Sequence, residues 1–567
     1  MSPSDLPAAV LMDPSPVPLV VAVVGHRDPI ASELPRLRDA FRRDLEELLL
    51  KLPHTPLLML NGLASGMDSE AAEVFLEVIQ GTRRRGAGGP GHQLVAALPK
   101  RVANYRLDFQ DPDELQRFEA LLDRCDAVLD PSNCDELRGD AAPGDDLPSP
   151  ACYGRQGVFL VRHCYLLFAF HNGFETMEVG GTAQSVAIQK GEVHPLFLNV
   201  DEVIATREPG ALIEYDTPRH KNRFEGKRQP HTYWLESQCT APRNAKQGAP
   251  EPFALQNLLA IPRQLETINR SMATEPGEPL PWAARPTALW HYADAIATRD
   301  KARYLRWALV LMMAGWLISL LLSQQPWQSV GLVLIVAALL LFPRFQKGPK
   351  HRFIVHRCLA ESLTVQDHWA ELGVERDAAD LFYSQIHRDL GWIRTVLRAR
   401  RVQLLVRFSR EPEPIEPVAK RVQGWMEGQV TWLDGTIERQ ARQDRLLLRA
   451  ALGCFVAALV LSLATMLMAE ASPALAWITE ACIASFVAVL AYRELLGYEE
   501  TNARYARSRD QFRRGLKAFE QALRTAADEP HRLQRLRCAL EAVGREKLDE
   551  LNDWVADQLK RMYKPGG

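Results

Sequence analysis

The stretch "CYLLFAFHNG" (Cys164–Gly173), followed shortly by "GGTAQSVAIQK" (Gly180–Lys190), decides how the first third of the chain folds. The first segment is a near-continuous apolar run that stops at Asn172-Gly173, the pattern of a strand buried on both faces and closed by a turn. The second opens on two glycines and a threonine and continues as a helix from Ala183 to Ile188. Strand, turn and glycine-led helix start form the repeating unit of a doubly wound sheet. The same unit offers backbone N–H groups and a helix dipole to an anion.

Similar units precede it. "LVVAVVG" (19–25), "LLMLNG" (57–62) and "QLVAALP" (93–99) are apolar runs that each end in a turn signal, and "HPLFLNV" (194–200) reads as a further strand. Between them, "LPRLRDAFRRDLEELLLKL" (34–52) and "SEAAEVFLEVIQ" (69–80) carry apolar residues at helical spacing. The pattern predicts an α/β Rossmann-like domain with a parallel sheet over residues 18–200, behind a disordered lead-in at 1–17 rich in Pro and Ser. Residues 201–255, rich in Pro, Arg, Lys and Gly, read as an irregular extension.

In an open parallel sheet the ligand crevice lies at the C-terminal strand ends. The turns falling there supply the expected ligand-binding residues: Gly25, His26 and Arg27; Ser65, Gly66 and Asp68; Lys100 and Arg101; Asn172 and Gly173; and Gly180, Gly181, Thr182 and Gln184. The glycines let backbone approach a phosphate, the cations add charge-assisted contacts, and Thr182 is expected to cap its helix. His26 reads as a hydrogen-bonding or base-stacking residue, because no nucleophile accompanies it.

The totals narrow the function. Across 567 residues, 68 Lys+Arg against 70 Asp+Glu leave a net charge of −2, which gives no field for nucleic acid. The nine cysteines form no CxxC pair, and no His, Asp and Glu set has metal-ligand spacing, so neither a disulfide framework nor a metal or other cofactor is expected. The N-terminus lacks the basic start of a signal peptide.

Four apolar runs follow: "LRWALVLMMAGWLISLLLS" (305–323), "VGLVLIVAALLLF" (330–342), "AALGCFVAALVLSLATMLM" (450–468) and "PALAWITEACIASFVAVLAY" (473–492). Against the roughly 17–25 residues of a membrane span, they predict four transmembrane helices in two hairpins, 305–343 and 447–492. A helical linker at 256–304 precedes them, cytoplasmic helices at 344–446 separate them, and C-terminal cytoplasmic helices at 493–567 follow. Arg299, Lys301, Arg303 and Arg306 flank the first hairpin on one side and Arg344, Lys347, Lys350 and Arg352 on the other. Arg442, Arg445, Arg449 and Arg493 flank the second, while neither connecting loop holds a Lys or Arg. The positive-inside rule then puts both termini in the cytoplasm. Glu480 falls inside the fourth run, either as a pore residue with Ser485, Ser462 and Thr465 or, if the span begins near Ala481, in the headgroup zone.

The segments "VVGHRDP", "LNGLASGMDSEAAEVFLE", "ALPK", "NYRLDF", "RFEALLDRCDAVLD", "YGRQGVFLVRHCYLLFAFHNG" and "GGTAQSVAIQKGEVHPLFLN" occur in order over residues 19–200. Together they resemble the SLOG domain family, which includes the lonely-guy phosphoribohydrolases, DNA-processing protein A relatives and nucleotide-sensor domains of bacterial immune systems. The segments "WHYADAIATRDKARYLRWAL", "HRFIVHRCLAESLTVQDHWAELGV" and "VGREKLDELNDWVADQLKRMY" are similar to SLATT-type transmembrane effectors. The resemblance implies a nucleotide-binding domain joined to a membrane effector of anti-phage second-messenger systems. It implies a homo-oligomer in the bacterial inner membrane that answers a cyclic-nucleotide or ADP-ribose-type signal by permeabilisation or ion conduction, an abortive-infection response.

The lonely-guy enzymes carry Pro-Gly-Gly-x-Gly-Thr-x-x-Glu with a catalytic final glutamate. Aligned on Gly181-Thr182, the leading positions fall on Met177, Glu178 and Val179, and the final one on Ser185, which is no carboxylate. Binding without turnover is therefore the expectation. A membrane-tethered nucleotide phosphoribohydrolase or glycohydrolase is the alternative, and a non-binding membrane scaffold the second alternative.

Overall fold

The computed structural model describes residues 16–84, 91–142, 144–174, 178–192, 210–219, 231–234, 255–274, 288–322, 327–382, 387–411, 413–467, 472–525 and 529–563. Seven strands form one sheet in the order β4-β3-β2-β1-β5-β6-β7. They are β1 (Leu19–Gly25), β2 (Leu57–Asn61), β3 (Gln93–Ala97), β4 (Ala127–Leu129), β5 (Leu166–His171), β6 (Ala211–Asp216) and β7 (His231–Trp234). The first six are parallel and β7 is antiparallel to β6.

The helices joining the strands are α1 (Leu34–Lys51), α2 (Met67–Arg84), α3 (Val102–Tyr105), α4 (Pro112–Leu122), α5 (Asp135–Arg138), α6 (Ser149–His163) and α7 (Thr182–Gln189). The apolar runs are strands because both sheet faces are covered: all of β2 and β5 is buried. On one face Phe41 of α1 meets Phe168 and Phe170 edge-on at 5.0 and 5.7 Å. On the other, α6 packs beside α7.

The sheet runs beyond the predicted domain boundary. Residues 201–255 are not irregular throughout, since they supply β6, which pairs with β5 from Leu166↔Ala211 to His171↔Asp216, and β7. The charged flanks of "ALIEYD" hid a strand whose position between two partners buries it. The predicted strand at 194–200 lies outside the described residues.

Three helices in the remainder of the chain are long and apolar enough to cross a membrane among the described residues: Ala288–Leu322, Ile415–Leu467 and the helical stretch Pro473–Arg524. Only 11%, 11% and 6% of their most apolar windows are buried. Side chains such as Val310, Met313, Leu459, Val460 and Val487 stand more than half exposed, surface that water disfavours and lipid accepts. The predicted span at 330–342 lies on a fourth long helix, Gln328–Leu372, which runs on through Pro343. Pro343 and Pro349 both lie within this helix. Element boundaries also differ from the sequence reading: linker and first span are one helix from Ala288, while residues 275–287 lie outside the described set. The helix from Ile415 leads without a break into the third apolar run.

The chain divides into two compact units. The first comprises the described parts of Met1–Pro279, Arg285–Tyr292 and Ser362–Val418, and the second those of Leu280–Ala284, Ala293–Glu361 and Ala419–Gly567. The predicted cytoplasmic stretch 344–446 is thus shared, and its central part belongs with the sheet. Helix His387–Arg410 and the turn Ala378–Leu381 attach there through buried ion pairs. Arg401 donates to Glu136 at 3.0 Å, His163 contacts the same carboxylate at 2.7 Å, and Asp380 accepts from Arg162 at 2.5 Å and Arg398 at 3.1 Å. These cations hold the Glu136 and Asp380 carboxyls well below the usual carboxylate range against a burial effect that would raise them.

Within the second unit the long helices pair antiparallel. Asp300 accepts from Arg352 at 2.7 Å, and Asp294 from Arg357 at 3.0 Å. Arg493 clamps Asp444 at 2.6 and 3.1 Å, and the Phe455 and Phe486 rings are 5.3 Å apart. Several flanking charges predicted from sequence are therefore paired across these hairpins.

Candidate functional site

Strand β1 lies between β2 and β5, and the chain leaves it toward β4 on one side and, after α6, toward β6 on the other. This reversal opens a crevice at the C-terminal ends of β1, β2 and β5. The turns after β1 and β2 interlock there. The Met67 N–H donates to the His26 carbonyl at 3.0 Å, and Gly66 has φ +85°, with an added Cβ only 2.5 Å from the Arg27 carbonyl oxygen. Leu63, fully buried, holds φ 53° in the same turn, a left-handed conformation of the kind that stores about 1–3 kcal/mol and concentrates at functional sites.

The β5 side is built on His26. Its Nε2 lies 3.1 Å from Asn172 Oδ1, and its Nδ1 lies 3.4 Å from an Arg219 guanidinium nitrogen. Burial, then Arg219 and His171, lower its pKa to about 4, so the ring is neutral near pH 7. Nε2 also accepts from the Asn172 backbone N–H at 3.1 Å, so Asn172 faces this ring nitrogen with both a donor and an acceptor. Arg219 also pairs with Asp28 at 2.5 Å. No sequence motif marks Arg219; it arrives because β6 extends the sheet past β5.

The other side gathers around Tyr153 of α6. The Arg27 guanidinium lies over its ring, 5.0 Å from the centroid, and the Lys100 ammonium lies 5.6 Å away. The Tyr153 hydroxyl donates to Asp108 at 2.5 Å, and Lys100 donates to the same carboxylate at 2.7 Å. Gly180, with φ +86°, fits against this residue: an added Cβ would stand 2.5 Å from Tyr153 Cβ. Thus the turns after β1 and β3 and the start of α7 meet at one aromatic side chain, which only its place before Gly154 in "YGRQGVF" could have flagged. Asp68 lies buried between the ends of β1 and β2, and burial, opposed by Arg27, raises its carboxyl from 3.8 to about 7.

The structure therefore brings together Gly25, His26, Arg27, Gly66, Asp68, Asn172, Gly173 and Gly180. Others are held by internal partners. Ser65 donates to Glu114 at 2.8 Å, and Arg101 holds the 144–146 loop through the Gly144 and Asp145 carbonyls. Lys100 has its charge matched by Asp108. Gln184 accepts from the Gly180 N–H at 2.7 Å, and Gly181, not Thr182, is the N-cap of α7, so Thr182 is the first helical residue. The expectation that Thr182 caps the helix is corrected accordingly: the chain enters the helix one residue earlier. Arg27 is the crevice cation with no ion pair among the described residues. Ser185 is buried on the α6 side of its helix, where an added Cβ on Gly157 would stand 2.7 Å from its hydroxyl oxygen. The Ser185 hydroxyl therefore packs closely against the Gly157 backbone.

In the helical unit Ser485 accepts from Trp316 Nε1 at 3.1 Å and donates to the Ala481 carbonyl at 2.7 Å, which ties it to a neighbouring helix. Thr465 donates back to the Ser462 carbonyl at 2.6 Å, Ser462 is exposed, and Glu480 is half-buried.

Fold and site define an α/β domain with strand order compatible with a Rossmann-like sheet and a crevice at its switch point, on one chain with membrane-length helices. No protein-family model matches the chain, and no curated protein matches it.

Proposed function

We propose that this protein is a membrane-embedded receptor in which the SLOG-like domain binds a nucleotide-derived second messenger and the apolar helices respond by permeabilising the membrane or conducting ions. The observation that carries this reading is the crevice around Tyr153. It joins a helix start, an unpaired arginine and a tyrosine face on the same chain as helices whose surface is apolar and exposed. A phosphate at the α7 start would meet the first-turn N–H groups and Arg27, and an aromatic ring at its side suits a base. Ser185, a buried hydroxyl where the lonely-guy motif has its catalytic carboxylate, favours binding over hydrolysis. Four spans in two hairpins, cytoplasmic termini and a homo-oligomer in a bacterial inner membrane complete the proposal, with Glu480, Ser462 and Thr465 as the polar residues for a pore. A signal moves such an equilibrium only by binding the two states unequally.

The test uses the purified chain in dye-loaded liposomes with cyclic and ADP-ribose-type nucleotides. Leakage without consumption of the nucleotide supports the receptor. Consumption without leakage supports the hydrolase and overturns it, and the absence of any binding supports the scaffold. The substitution Thr182→Arg is expected to abolish the response while leaving membrane insertion intact.

A further inference from the structure

Resting on the nucleotide reading of the crevice, we infer that Asp68 recognises adjacent sugar hydroxyls, so that the ligand is a ribonucleotide derivative with a free vicinal diol. Asp68 is 9% exposed and sits between the ends of β1 and β2. A Cβ on Gly25 would lie 3.4 Å from Asp68 Oδ1, and one on Gly62 3.4 Å from Oδ2, so only glycine backbone separates the carboxyl from the ends of β1 and β2. Oδ1 is buried with no hydrogen-bond partner among the described residues.

The other acids around the crevice are in use. Asp108 serves Lys100 and Tyr153, Asp28 serves Arg219, and Asp130 binds Ser132 and the Val102 N–H. Asp28 Oδ1 has the Arg219 ion pair, whereas Asp68 Oδ1 has neither a hydrogen bond nor an ion pair among the described residues. A carboxylate matches two O–H donors held side by side, which a vicinal diol supplies. An acceptor buried without a partner is costly, so a ligand that satisfies it is favoured and one lacking a hydroxyl is rejected. In its ionised form the same carboxyl, at the start of α2, repels a phosphate there. It therefore directs the phosphate to the start of α7, with Arg27 between the two positions.

The experiment measures binding of matched probes to the full chain in detergent by calorimetry. The probes are AMP, ADP-ribose, 2′-deoxy-AMP and 3′-deoxy-AMP, tested on the wild type, Asp68→Asn and Thr182→Arg. The wild type is expected to bind a ribo probe roughly ten- to a hundredfold more tightly than its deoxy counterpart, the range for a hydrogen bond to a charged group. Asp68→Asn is expected to lose most of that preference while still binding, and Thr182→Arg to lose binding to both sugars alike. A deoxy probe binding the wild type as well as its ribo counterpart, or Asp68→Asn retaining the preference, overturns the role of Asp68 and leaves the receptor standing. If no probe binds the folded wild type this inference falls, and the nucleotide reading falls with it only if the cyclic nucleotides of the liposome assay also fail to bind. Melting curves of both variants establish that they are folded.

Discussion

Replacing Asp68 by Asn keeps the shape of the side chain and removes its charge, so the pH dependence of stability isolates one carboxyl. Burial raises that carboxyl from 3.8 to about 7, with Arg27 as the opposing charge, and Tyr105, Tyr153 and Asp108 are the other titratable groups of the cluster. Because the folded pKa lies above the unfolded one, the stabilising contribution is complete below about pH 3.8 and fades as pH rises through about 7. The full shift corresponds to about 4 kcal/mol, as an upper bound. Between about pH 5.5 and pH 8 the wild type should lose about 2 kcal/mol that Asp68→Asn does not lose. For a domain of this size that is a relative change in melting temperature of about 4–8 °C. The assay is thermal unfolding of the ligand-free full chain in detergent at the two pH values, with the difference between variant and wild type taken at each. Other titrating groups, His26 among them, cancel in that difference. A gap of equal size at both pH values would refute the reasoning, because it would mean that Asp68 is ionised throughout.

His26 carries the opposite signature. Its folded pKa of about 4 lies below the ordinary 6.5, so its contribution is present above about pH 6.5 and is lost as pH falls toward 4. An NMR titration of its ring should show a midpoint near 4 rather than 6.5. Arg401→Ala leaves Glu136 short of a buried partner and is expected to cost about 3–5 kcal/mol, read as a lower melting temperature and faster proteolysis of the His387–Arg410 helix. Unchanged proteolysis would show that the helix is held by its apolar contacts alone.

The sequence was most legible where one physical rule acts locally. Near-continuous apolar runs such as "LVVAVVG" and "LLMLNG" admit a doubly covered strand, and helical periodicity marks the segments between them. β6 escaped notice because its carboxylates, Glu214 and Asp216, break that apolar run; Glu214 is partnered by Lys190 at 3.2 Å. Within the site, the glycines could be read from their turns. The fate of each charge could not, since Lys100 and Arg101 look equally available in the sequence and find internal partners in the fold.

By itself, then, the amino-acid order determined the α/β class, the position of the strand-end turns and the apolar helices, all consequences of local pattern and length. Only the tertiary structure decided that Tyr153 joins three turns, that Arg219 reaches His26 and that Ser185 faces a helix. It alone left Asp68 Oδ1 buried without a hydrogen-bond partner among the described residues. The physical reason is that burial and pairing belong to the environment of a side chain. That environment is made by residues far away in the chain, so no spacing rule contains it.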